Sequence, residues 1–305
     1  MAHGFQPYHM MQLDDGSRVA LWGPITLKSA FQPIYRFEEG KLVVDGFEAL
    51  IRPFQGDEPI SPAAFFSSVP VAERMQVEVL TRALHVLNAG AFLDPRTRLF
   101  INFNPSIYAE RSRSRLALRA MCDTLVEAKV QTSRIVCEVT EQKSASPNAL
   151  RGFIALLREQ GFKIAVDDYG AEDSDMDRVA ALAPDIVKFD AGWIARLMET
   201  RPGIALLSVM VATFTNRGCT VVFEGLEEGW QLEIAEEVGA HMVQGFVLAR
   251  PEIAPTSFAL PAGLRPSLGL AADPQPPAPM PGHVTRPTAG VPSRISPGRP
   301  FGRRT

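Results

Sequence analysis

A chain of 305 residues that is 46% hydrophobic can bury a substantial core, and its length allows one large domain or two smaller ones. Its formal charge of −3 argues against a general binder of nucleic-acid polymers or membrane surfaces, and no window nears the roughly 18 apolar residues of a transmembrane span. Cys122, Cys137 and Cys219 are odd in number, far apart and without CxxC spacing, which disfavours a disulfide framework and a zinc cluster and fits reduced thiols in the cytoplasm.

In chain order, residues 1–24 read as a short irregular lead-in with no basic-then-apolar export signal. A hairpin follows, "FQPIYRF" and "KLVVDGFEAL" joined by "EEGK". Strand-length apolar runs then recur: "RLFINFNP", "RIVCEVTE", "FKIAVDDYG", "DIVKFDAG", "CTVVFEGL" and "HMVQGFVLARP". Between them lie segments of helical period, "PVAERMQVEVLTRALHVLNAG", "SRLALRAMCDTLVEA", "NALRGFIALLREQG", "IALLSVMVATFTNRG" and "WQLEIAEEVGA", several ending at a glycine. Continuously apolar strands alternating with helices predict a parallel sheet covered by helices. The count suggests closure into a (β/α)8 TIM-like barrel, with a doubly wound open sheet as the alternative. Residues 25–258 would form this barrel. Residues 259–305, including "DPQPPAPMPGHVTRPTAGVPSRISPGRPFGRRT", are rich in Pro, Gly, Ser and Arg and read as a disordered tail.

Each strand presents a polar residue where its apolar run stops: Glu48, Asn102, Glu138 with Glu141, Asp167 with Asp168, Lys188 with Asp190, Glu224 with Glu227, and Gln244. In a parallel barrel these ends open on one face, so side chains distant in sequence converge. Helix capping does not account for the set, because Glu is a poor N-cap, Lys caps no N-terminus, and Ser and Thr are almost missing. Facing carboxylates repel unless a positive charge sits among them. The five histidines show neither an i, i+4 pair nor HExxH, so any metal is held by oxygen. An Asp, Glu and Asn set suits Mg²⁺ or Mn²⁺, and adjacent Asp167 and Asp168 can share two ions, a device for displacement at phosphorus. Metal-assisted enolisation would use similar ligands.

"FEALIR" (47–52), "NFN" (102–104), "EVTE" (138–141), "DDYG" (167–170), "VKFD" (187–190), "FEGLE" (223–227) and "VQGF" (243–246) resemble, in order and spacing, the signatures of the EAL-domain family of cyclic-di-GMP phosphodiesterases. "FQPIYRF" is similar to that family's opening strand, antiparallel in the barrel. The resemblance implies hydrolysis of cyclic di-GMP to linear 5′-pGpG with two Mg²⁺ or Mn²⁺ ions. It implies Glu48, Asn102, Glu138 and Asp167 as ligands of the first metal and Asp167 with Asp168 as reaching the second. Glu224 would be general base or second-metal ligand, and Lys188 would orient the attacking water. Gln32, Leu50, Arg52 and Gln244 would contact substrate, with Glu141 and Glu227 supporting the loops. It further implies a homodimer, to be sought around "SDMDRVAALAPD", and with no cyclase-like or sensor segment visible, regulation is expected through oligomerisation, the terminal tails or a separate protein partner.

One segment departs from the family pattern. After the paired aspartates the family has a glycine where this chain has Glu172, and Asp173 and Asp175 add negative charge nearby. That departure favours the alternative reading, a weak or inactive EAL domain serving as a cyclic-di-GMP receptor or interaction module.

Overall fold

The computed structural model describes residues 9–104, 111–139, 147–171 and 176–258. Glu141, Glu172, Asp173, Asp175 and the expected tail lie outside the described residues. Within the expected lead-in, β1 (His9–Gln12) and β2 (Arg18–Trp22) form an ordered antiparallel hairpin that continues into β3 (Ile25–Glu38) and β4 (Lys41–Gln55). The β3–β4 turn is two residues long, and Glu39 (φ 49°) and Gly40 (φ 72°) both take left-handed conformations. Such turns match the right-handed twist of the flanking strands.

Beyond it run β5 (Glu58–Pro59), α1 (Pro62–Ser68), α2 (Arg74–Phe92), β6 (Arg98–Phe103), α3 (Arg111–Glu127), β7 (Ile135–Val139), α4 (Pro147–Glu159) and β8 (Lys163–Tyr169). Next come α5 (Met176–Leu182), β9 (Ile186–Phe189), α6 (Ala191–Met198), α7 (Arg201–Asn216), β10 (Thr220–Phe223), α8 (Gly229–Glu237), β11 (Met242–Val243) and β12 (Glu252–Ile253). Strands β4, β6, β7, β8, β9, β10 and β11 pair in parallel in that order, and β3 closes the ring by pairing antiparallel with both β4 and β11. The β3–β11 pairing makes the sheet a closed eight-stranded barrel rather than an open doubly wound sheet. No described helix is long and apolar enough to cross a membrane.

Two apolar layers hold the barrel. Outside, the strands pack against the helices, with residues such as Leu99, Ile135, Val187, Leu207 and Phe214 buried. Inside, Ile34, Phe100, Val136, Ala165, Ile186, Val222 and Met242 plug the lumen. Inward-facing positions recur every second residue along a strand, so the plug dictates what stands above it. A third cluster, including Ala20, Leu27, Ile51, Phe65, Val77, Leu80 and Leu84, anchors the hairpin and the end of β4 on α1 and α2.

Candidate active site

Counting two residues from each plug position toward the open face gives Asn102 above Phe100, Glu138 above Val136, Asp167 above Ala165, Lys188 above Ile186, Glu224 above Val222 and Gln244 above Met242. On antiparallel β3 the count runs backwards, from Ile34 to Gln32, and on β4 it runs from Gly46 to Glu48. The polar layer is therefore the next storey of the barrel interior.

Lys188 stands at its centre, 1% exposed. Its Nζ lies 2.5 Å from Glu138 Oε1, 2.6 Å from Glu224 Oε1, 3.1 Å from Asp167 Oδ1 and 3.7 Å from Glu48 Oε2. Burial works to lower the Lys188 pKa, but the four carboxylates outweigh it and hold the ammonium well above its usual range. Burial pushes Glu138 well above the usual carboxylate range, with Glu48 and Asp167 adding to the rise against the pull of Lys188. Glu224 is pushed up to about 8, again by burial first, with Lys188 opposing and Asp167 and Glu48 assisting.

A chain of amides fixes Glu48. Gln32 Nε2 donates to the carbonyl of Ala249 (3.1 Å), while Gln244 Nε2 donates to Gln32 Oε1 (3.1 Å) and to Glu48 Oε2 (2.8 Å). Both glutamines are buried. Exposed Asn102 points Nδ2 at Glu48 Oε1, 3.4 Å away, and an exchange of its two amide atoms would present oxygen to a cation instead.

The Asp167-Asp168 pair depends on an irregularity. Val166 pairs with Val187 and Tyr169 with Phe189, so two residues of β8 face the single Lys188 of β9. This bulge, with Asp168 at φ 58°, breaks the alternation that would send adjacent side chains to opposite faces. Carboxylate oxygens of Asp167, Asp168 and Glu224 come within 4.8 Å of one another. Tyr169 locks the bulge from below, ringed by Phe189, Trp193 and Phe214, and Gly170 lies so close to Trp193 that no Cβ would fit.

These residues fit divalent cations. The oxygen-only donor set is the hard kind that Mg²⁺ and Mn²⁺ prefer. Glu138 Oε2 and Asp167 Oδ1 are buried without a hydrogen-bond partner, the latter 3.1 Å from the Lys188 ammonium. Such orphaned oxygens are costly unless a cation completes them.

Leu50 and Arg52 continue the Glu48 face of β4 and line a cavity of about 480 Å³ with Asn102, Phe66, Arg74 and Arg82. Burial lowers the Arg52 pKa, with Glu48 opposing. Glu227 is exposed, and its backbone N–H donates to Gln231 Oε1 (2.8 Å) at the start of α8. Sequence reasoning missed the α2 side of the cavity, where Glu78 and Arg82 form a buried ion pair. Their i, i+4 spacing was the one available signal, hidden in a helix read only for its apolar period.

Residues 25–251 match the EAL domain family. The chain is 29% identical over 227 residues to the EAL-domain containing protein YkuI of Bacillus subtilis, covering 72% of this chain and 54% of that protein. It is 28% identical over 228 residues to the cyclic di-GMP phosphodiesterase RocR of Pseudomonas aeruginosa, covering 72% and 56%. It thus spans about half the length of these relatives. Among solved structures, the calcium and cyclic-di-GMP complex of BlrP1 from Klebsiella pneumoniae superposes with a TM-score of 0.65 at 27% identity, over 83% of this chain and 61% of that one. The YkuI complex with cyclic di-GMP and calcium gives 0.64 at 25% identity, over 74% and 56%.

Proposed function

Because this chain belongs to the EAL domain family, we propose that it is a metal-dependent phosphodiesterase that hydrolyses cyclic di-GMP to linear 5′-pGpG. The observation that carries this reading is Lys188 held within 4 Å of Glu48, Glu138, Asp167 and Glu224, with Asp168 on the adjoining bulge. Two Mg²⁺ or Mn²⁺ ions would bring five carboxylates and one ammonium to neutrality and supply Lewis acidity at the phosphoryl group and its leaving oxygen. Glu48, Asn102, Glu138 and Asp167 would hold one, and Asp167 with Asp168 the other.

The chain's own groups do the rest. Glu224 accepts a proton from the attacking water, or serves the second ion, and the Lys188 ammonium beside it favours the anionic form of that oxygen. The new P–O bond forms as the P–O3′ bond breaks, the 3′-oxygen leaves as a hydroxyl, and the product keeps its 5′-phosphate. Arg52 and Leu50 contact the substrate from the cavity wall. Gln32 and Gln244, proposed as substrate contacts on the resemblance, also orient Glu48. The relatives named as cyclic di-GMP phosphodiesterase or solved with cyclic di-GMP support the same reading. A cytoplasmic homodimer answering to a regulatory protein partner completes the proposal.

A receptor or interaction module without turnover is the second reading, favoured by Glu172, Asp173 and Asp175 in the altered segment. Incubating the full chain with cyclic di-GMP and Mn²⁺ or Mg²⁺, and resolving nucleotides by chromatography over time, separates the two. Linear pGpG forming with the parent and not with Glu48→Ala establishes the enzyme. Binding without product establishes the receptor.

A further inference from the structure

The ladder of β6 gives out before its open end. Toward β4 the last paired residue is Ile101, opposite Ala49, and toward β7 it is Phe103, opposite Val139. Asn102 therefore has no β4 partner in the ladder, and Asn104 lies beyond both ladders. Helix α2 takes over this segment. Glu78 accepts the backbone N–H of Asn104, Arg82 lies over the Phe103 ring with its guanidinium 4.4 Å from the centroid, and Arg82 Nη1 donates to Glu78 Oε2 at 2.6 Å.

Both members of this pair are nearly out of water, Glu78 at 8% exposure and Arg82 at 3%. Burial raises the Glu78 pKa against the pull of Arg82. A buried ion pair is a weak source of stability, because desolvation offsets its attraction and apolar residues of similar volume often serve as well. The two residues nevertheless grip the two positions that follow Asn102, and they line the same cavity as Arg52, Asn102 and Asn104.

We infer that Glu78 and Arg82 are positioning residues for Asn102: the hydrogen bond to Asn104 and the stack on Phe103 fix the end of β6 so that the Asn102 amide meets Glu48. This rests on the metal reading of the site proposed above. Groups that orient metal ligands without touching the metal typically govern affinity by about 10- to 100-fold.

The test is Mn²⁺ binding to the metal-free full chain by calorimetry, without nucleotide, at a temperature well below melting. Glu78→Gln/Arg82→Met keeps an acceptor for the Asn104 N–H and a side chain able to pack on Phe103. Glu78→Leu/Arg82→Met removes the acceptor. The expected result is near-parental Mn²⁺ affinity in the first variant and 10- to 100-fold weaker binding in the second, with both melting close to the parent. Glu78→Gln/Arg82→Ala, which keeps the acceptor and leaves no side chain to pack on Phe103, covers the case in which the Leu and Met pair does not fold, and is expected to bind at least threefold more weakly. Parental affinity in every folded variant would overturn the inference while leaving the metal site standing. A parent that binds no Mn²⁺ would overturn the metal reading and the inference together.

Discussion

Lys188 Nζ and Glu138 Oε1 lie 2.5 Å apart in a barrel interior where Lys188 is 1% and Glu138 likewise 1% exposed. The lysine is the only ammonium within reach of four carboxylates among the described residues. Removing it leaves buried negative charge uncompensated. Lys188→Met is expected to destabilise the metal-free protein by about 3–5 kcal/mol, and saturating Mn²⁺ is expected to restore most of the loss, because a cation replaces the missing positive charge. Thermal melts with and without Mn²⁺ check this. A variant that melts like the parent in chelator would show that the carboxylates hold protons instead.

Asp168 combines a left-handed backbone with a carboxylate at the candidate second metal position. Asn and Gly tolerate φ 58° and Ala does not, so Asp168→Ala is expected to be less stable than Asp168→Gly by about 1–2 kcal/mol. All three substitutions, Ala, Gly and Asn, are expected to lower the Mn²⁺ stoichiometry from two to one. Calorimetric titration beside chemical denaturation separates backbone from ligand, and retention of two ions in Asp168→Gly would count against the assignment.

Glu224 is aimed by the residue after it. Gly225 has φ +63°, and a Cβ there would collide with Ala191 Cβ at the start of α6. Gly225→Ala is expected to destabilise by about 2 kcal/mol or more, combining strain and overpacking, and to reduce turnover by displacing Glu224. Pairing it with Ala191→Gly should recover part of the stability. No recovery would mean that the backbone conformation alone sets the penalty.

His85 makes stability depend on pH. It is buried, its Nδ1 is 2.9 Å from Ser29 Oγ, and burial first, then Arg82 and Arg52, lowers its pKa from 6.5 to about 3. Between those values the unfolded chain binds a proton that the folded protein refuses. The stability from neutral His85 is thus complete above pH 6.5 and falls by about 1.4 kcal/mol per pH unit as the pH drops toward 3. His85→Gln should remove this dependence, so the difference between parent and variant in urea unfolding is expected to be flat above pH 6.5 and to shrink below it. Parallel curves across that window would contradict the assignment.

The sequence by itself determined the alternation of apolar strands with helices and the polar residues at the strand ends, and left a closed barrel and an open doubly wound sheet both compatible with that pattern. Apolar runs that each stop at a carboxylate, amide or lysine read as strands with polar C-terminal ends, and a parallel barrel gathers such ends on one face. Short or atypical elements were not legible. Helices α1, α5 and α6 span only seven or eight residues, too few for a helical period to stand out, and the hairpin over residues 9–22 is ordered by packing on α2 rather than by its own pattern. Tertiary structure alone decided that β11 closes on β3, that a bulge turns Asp167 and Asp168 to one side, and that Glu78 and Arg82 grip the end of β6. Each of these depends on register or on a helix face meeting a strand end, and both are set by contacts between residues far apart in the chain, which local periodicity does not encode.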